Sequence, residues 1–256
     1  MADRGFGIAA AVPGKLIAPL AEAAEKAGYS TFWVNDTPGA DGLQALRQAT
    51  EATSAIRLGV GVIPLDRRPA EQIAGTVNSA AIPPERLIIG IGAGGAHAGS
   101  LALVEQGIVS LRQSTGCRVA IGALGMKMIE LSGRIADGVI LNWLTPQWAD
   151  PSVAAAKAAE RGSPIEIIGY VRTALVESRE ALQIEADRYA SIPQYARHFE
   201  RMGVAAIDTC VFGDDMEIGD GLRRFDGVLD ETVVRAITSE QSLESYMAVL
   251  RAGSPS

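Results

Sequence analysis

The feature that most limits the fold is an alternation along the chain. Short, near-continuous Val/Ile/Leu/Gly runs take turns with amphipathic segments. Gly5–Ala10, Thr31–Val34, Arg57–Ile63, Arg86–Gly92, Arg118–Gly122, Gly138–Leu141 and Ile165–Val171 read as strands. Between them Lys15–Ala27, Asp41 to about Thr53, a segment opening at Pro69, His97–Gln113, Met126–Ala136 and Gln147–Arg161 read as helices. Gly28 suits a left-handed cap, and Asp41 suits an N-cap. Strands that are apolar throughout, instead of alternating, are what a parallel sheet buried on both faces requires.

These βα units fit an open sheet or a closed barrel, and an eighth strand decides between them. Ala206–Phe212 and Glu231–Ile237 compete for that place. Glu231–Ile237 is the better candidate, because Ser239 can cap a final helix at Leu243–Arg251. Ser178–Asp226 then becomes a mostly helical excursion after strand seven. The expected fold class is therefore α/β, a TIM (β/α)8 barrel. The length of 256 residues suits one such domain spanning 1–256, since a barrel of this kind takes about 250 residues.

Thirty acids against 23 bases argue against nucleic acid or an anionic membrane as the main partner. No run approaches the ~18 unbroken apolar residues of a membrane span. The opening residues lack a basic region followed by an apolar core, so the expectation is a cytoplasmic protein. Cys117 and Cys210 share no metal-ligand spacing and read as reduced thiols, with no metal site expected.

Barrel enzymes carry their chemistry on the loops after the strands. Asp36 follows strand two, where it can contact a ligand or simply form the turn before Pro38. Gly59 and Gly61 bracket Val60 in strand three. Such glycines mark either a bulge with a flat group close by or a tight spot in the packing. Gly90–Gly95 superficially resembles a dinucleotide fingerprint, but it follows the fourth strand where the fingerprint belongs to a first; it reads as a tight turn, with His97 after it. The informative segment is Gly122-Ala123-Leu124-Gly125, where a strand ends and a helix begins. Free N–H groups at that helix start suit an anion, and Lys127 can add charge or point to solvent. Asn142 offers a donor and an acceptor at the end of strand six, with Trp143 beside it as wall or packing. There is no Ser/His/acid set and no metal-spaced histidine cluster, which favours a borrowed cofactor.

Several of these runs resemble the luciferase-like monooxygenase superfamily. The likeness is carried by Ala24–Val34 with Asp36, by Ile56–Val62 with Arg68-Pro69-Ala70, and by Leu87–Gly92. Gly122–Gly125 with Lys127-Met128 and Gly133–Trp143 match most closely. The resemblance implies reduced FMN or coenzyme F420, a deazaflavin, lying across the barrel mouth with its phosphate on Gly122–Gly125. It also implies a non-prolyl cis peptide at Gly61–Val62 under the ring. The Ile-Ala-Asp-Gly and Leu-Asn-Trp runs look most like the deazaflavin-dependent branch. Many of that branch carry His directly after the strand-two Asp; this chain has Thr37. The region after strand four is also short, which marks a trimmed member.

The expectation is thus an oxidoreductase moving a hydride between coenzyme F420 and a small organic substrate, with a homodimer implied by the family. Asp36 is the expected polar contact near the reacting centre. Gly61, Val62, Gly122, Ala123, Leu124, Gly125, Lys127 and Asn142 are the expected cofactor contacts. An FMN-dependent monooxygenase and a barrel without turnover are the alternatives.

Overall fold

The computed structural model describes residues 3–95 and 98–255. Its strands run parallel in one sheet: β1 (Asp3–Ala9), β2 (Thr31–Asn35), β3 (Arg57–Pro64), β4 (Leu87–Gly92), β5 (Arg118–Ala123), β6 (Gly138–Asn142), β7 (Glu166–Leu175), β8 (Val211–Gly213) and β9 (Glu231–Ala236). Eight of them close a ring, in which β9 pairs with β1 on one side and β7 on the other. The expected TIM barrel is therefore present, and Glu231–Ile237 supplies the closing strand.

The rival stretch does something else. Ala206–Thr209 is a 3-10 turn, and β8 pairs with the outer end of β7, outside the ring. Burial explains the choice. Every residue of β9 is buried, whereas Phe212 in β8 stays exposed. A ring strand must be covered on both faces.

Helices α1 (Ile17–Lys26), α2 (Gly42–Ala52), α3 (Ala70–Ala80), α4 (Ser100–Thr115), α5 (Met126–Ile135) and α6 (Pro146–Ala158) alternate with the strands. Asp41 caps α2, accepting from the Leu43 and Gln44 N–H groups at 2.9 and 3.4 Å. The excursion is helical as expected, with α7 (Arg179–Ala190), α8 (Pro193–Met202) and α9 (Asp215–Arg223). The last helix, α10 (Leu243–Ala252), is capped by Ser242 and not by Ser239. Ser239 instead accepts and donates in a pair with Ser178. No helix among the described residues is long and apolar enough to cross a membrane.

Phe6, Ile8, Leu20, Leu43, Leu46, Leu58, Ile63 and Ile73, all buried, belong to the main core, to which both strands and helices contribute. A second cluster, Trp33, Ile88, Ala120, Ile140, Ile168, Tyr170 and Val233, is built only from strand residues. At the strands' starting ends sits an ionic layer. Arg57 reaches Glu166 at 2.8 Å and Glu231 at 3.1 Å, and Arg118 reaches Glu166 at 2.8 Å. The Trp33 indole N–H donates to Glu231 at 3.0 Å and joins the two layers. Gly59 is what makes room for Trp33, because a β-carbon there would run into the indole ring. One of the two strand-three glycines is thus a packing residue.

Candidate functional site

At the strands' carboxyl ends lies a cavity of about 1000 Å³. The strand ends form its floor, and α7 and α8 contribute Glu185, Arg188, Tyr189, Gln194 and Tyr195. That volume is at the upper end of what single small-molecule sites use.

The second glycine of β3 faces this cavity. The Gly61–Val62 peptide is cis. The register with β4 steps from Val60↔Ile89 to Ile63↔Ile91, so β3 carries one extra residue there, a bulge. Asn35 Nδ2 donates to the Gly61 carbonyl at 2.6 Å, and Arg235 Nε donates to Asn35 Oδ1 at 2.5 Å. The bulge is therefore held by polar contacts from β2 and β9. Below it lies Tyr170, 2% exposed, edge-on to Trp33 at 5.6 Å between ring centres. The Tyr170 hydroxyl has no partner among the described residues. Burial raises its pKa well above the ordinary value, so it is a neutral donor without an acceptor.

Across the mouth, Gly122, Ala123, Leu124 and Gly125 line the cavity. Gly125 is the N-cap of α5, and no side chain caps that helix. Lys127 lies off the cavity and is exposed, while Met128, one position on, lines it. The loop is braced from α8. Arg201 Nη2 donates to the Leu124 carbonyl at 3.0 Å, and His198 Nε2 lies 2.8 Å from the Trp143 carbonyl. A carbonyl only accepts, so Nε2 carries the proton and Nδ1 faces the Arg201 guanidinium at 3.4 Å. Burial lowers the His198 pKa, which agrees with a neutral ring.

Asn142 lines the cavity, and its Oδ1 accepts from Arg172 Nη1. Trp143 does not line it. That ring is 1% exposed and lies beneath the Arg172 guanidinium, 3.7 Å from its centre. Asp36 lines the cavity but is already engaged, accepting from the Gly42 N–H at 3.1 Å and pairing with Arg67 at 3.3 Å and Arg68 at 3.4 Å. Burial nonetheless raises its pKa. Asp36 thus ties the segment leading into α2 and also lines the cavity. His97 lies outside the described residues. Cys117 and Cys210 are free, and burial raises both thiols, Cys210 to about 12.

Sequence reasoning missed Tyr170, Arg172, Arg235 and Thr238, all of which line the cavity. The signal was present: polar side chains near the carboxyl ends of otherwise apolar strands, in Gly-Tyr-Val-Arg and Val-Val-Arg-Ala.

Residues 8–100 match the family model described as luciferase-like monooxygenase. Three solved structures share the fold over almost their whole length. The coenzyme F420-dependent tetrahydromethanopterin reductase of Methanopyrus kandleri matches at TM-score 0.78 and 18% identity, over 98% of this chain and 97% of that one. An F420-dependent secondary alcohol dehydrogenase, in complex with an F420-acetone adduct, matches at 0.76 and 13%, over 98% and 99%. The oxygenating constituent of 3,6-diketocamphane monooxygenase from the CAM plasmid of Pseudomonas putida, in complex with FMN, matches at 0.71 and 11%, over 99% and 97%. At these identities the likeness is one of fold.

Proposed function

Taking as premise that the chain is a luciferase-like barrel, we propose that it is a deazaflavin-dependent oxidoreductase acting on a small organic substrate. The observation that carries the reading is the cavity itself. It is walled by the bulge at Gly61–Val62 and bounded by the uncapped start of α5. The orphaned hydroxyl of Tyr170, with those of Thr37 and Thr238, lines it too, which fits a polar, planar guest that supplies the missing partners.

Gly122–Gly125 and the first N–H groups of α5 would hold the phosphate, where the helix dipole favours negative charge. Gly61 and Val62 would support the ring, and Asn142 would offer it a hydrogen bond. When bound, the cofactor supplies hydride transfer, and the chain's residues bind, orient and exclude water. Tyr170 holds a proton beneath the bulge that no described group accepts. Asp36, with its pKa raised by burial, is the titratable group near the β2 end of the cavity.

The test is a fluorescence titration with coenzyme F420 and FMN, each oxidised and reduced. Tighter binding of the deazaflavin supports the reading. Tighter FMN binding with oxygen-dependent turnover identifies a monooxygenase, and binding of neither leaves a barrel without this chemistry.

A further inference from the structure

Arg172 and Arg235 stand directly opposite each other in the register of β7 and β9, and both line the cavity. They are 3% and 7% exposed. Two like charges side by side and out of water are unfavourable unless an opposite charge holds them. This wall provides one carboxylate. Arg172 Nε donates to Glu185 at 3.2 Å, and Arg188 approaches the same carboxylate at 3.6 Å. The other acids lining the cavity are committed across the mouth, Asp36 to Arg67 and Arg68, and Asp66 to the Gly95 N–H at 2.8 Å. Arg235 makes no ion pair among the described residues. Its Nε goes to Asn35 and its Nη1 to the Ala236 carbonyl. Neither guanidinium commits its Nη2 to any described group. Burial works to raise the Glu185 pKa, and Arg235, Arg172 and Arg188 together overcome it and hold it low. The positive charge here therefore exceeds what one carboxylate neutralises. The buried hydroxyls of Tyr170 and Thr238, both lining the same cavity, also lack partners.

We propose that this wall is an anion subsite that takes the carboxylate of an organic-acid substrate, with Arg235 as its anchor and Arg172 beside it. Each guanidinium keeps an uncommitted Nη2, and a carboxylate's two oxygens can accept charge-assisted hydrogen bonds from both. The subsite lies on β7 and β9, whereas Gly122–Gly125 end β5, so the substrate's charge and the cofactor's phosphate occupy different sectors of the mouth. Its assignment to the substrate rests on the cofactor reading above; the anion site itself does not.

The experiment is calorimetric titration of benzoate and succinate against their neutral counterparts, benzamide and succinamide. Each is run on the protein alone and on the protein saturated with whichever cofactor binds. The expected result is that at least one acid binds tenfold or more tighter than its amide, with and without cofactor. Arg235→Met should lose that preference, and Arg235→Lys should keep part of it. Acids binding no better than amides would overturn the proposal, and that comparison needs no variant to fold. Displacement of the acid by cofactor would also overturn it, because the arginines would then serve the cofactor's own anionic tail. Selective acid binding without any cofactor binding would support the subsite and defeat only the deazaflavin reading.

Discussion

A β-carbon placed on Gly61 would come within 2.7 Å of the Tyr170 hydroxyl oxygen and 3.2 Å of the ring carbon that bears it. The glycine therefore answers first to a tyrosine of β7, and the bulge of β3 rests on that side chain. Gly61→Val is expected to remove measurable cofactor binding while the chain still melts cooperatively. Gly61→Ala should cost about 1–3 kcal/mol, as overpacking does. Adding Tyr170→Phe should return part of that loss, because the two sites touch and their effects should not add. Thermal melts of both single variants and the double variant check this; strictly additive losses would refute the contact.

Gly59, two residues earlier, predicts a different phenotype. Its β-carbon would enter the Trp33 indole, which is fully buried and tied to Glu231. Neither ring nor backbone can yield there. Gly59→Ala should cost more than Gly61→Ala, about 3 kcal/mol or above. Any folded fraction should bind cofactor normally, since Gly59 does not line the cavity. Equal destabilisation by the two alanines in a denaturant series would count against this division of labour.

Glu231 sets a pH dependence whose sign can be worked out. Burial raises its pKa from 4.5 to about 7, outweighing the attraction of Arg57. The folded state thus prefers the protonated form, and the unfolded state releases its proton earlier as pH rises. Stability from this group is full below pH 4.5 and is lost as pH rises to about 7. With the carboxylate fully buried, the loss is up to about 3 kcal/mol. Glu231→Gln should show a flatter stability profile across that window, measured by urea unfolding at several pH values.

His198 works in the opposite direction. Burial lowers its pKa below 6.5, so its contribution is intact above that value and is lost as the unfolded chain takes up the proton below it. His198→Gln keeps a donor for the Trp143 carbonyl and should lose less stability than the parent between pH 6.5 and 5. Arg201→Met, on the same helix, removes the donor to Leu124. One hydrogen bond is worth about 1 kcal/mol, so cofactor affinity should drop roughly fivefold. Unchanged affinity would mean the loop does not depend on α8.

The ring strands were legible because a parallel barrel demands unbroken apolar runs, and few other arrangements of this chain satisfy them. The stretches holding β8 and β9 were not separable by composition, since both mix apolar residues with a few polar ones; burial on two faces distinguishes them in the fold. In the site, the paired glycines of β3 announced a close approach, yet Gly59 and Gly61 look alike in sequence. What differs is depth, which places one against Trp33 and the other against Tyr170. Lys127 illustrates a related loss. Its position at the start of α5 is readable, but its direction is not, and the helix turns it to solvent while Met128 faces in. The arginines escaped notice because attention goes to loops after strands, and Arg172 and Arg235 lie within the strands themselves.

The short strand outside the ring has an architectural consequence. The chain leaves the barrel at Leu175, crosses residues 176–210, and returns with Gly213 paired beside Leu175 and Val211 beside Thr173. Departure and re-entry are thus stapled to each other, and the intervening segment is a cassette set into a closed ring, tied back to it by His198 and Arg201. Its length is weakly taxed, since closing a longer loop between fixed ends costs little more. The cassette carries Glu185, Arg188, Tyr189 and Tyr195 into the cavity. Evolution, or an engineer, can therefore retailor what the mouth accepts by swapping this piece while the hoop of eight strands stays closed.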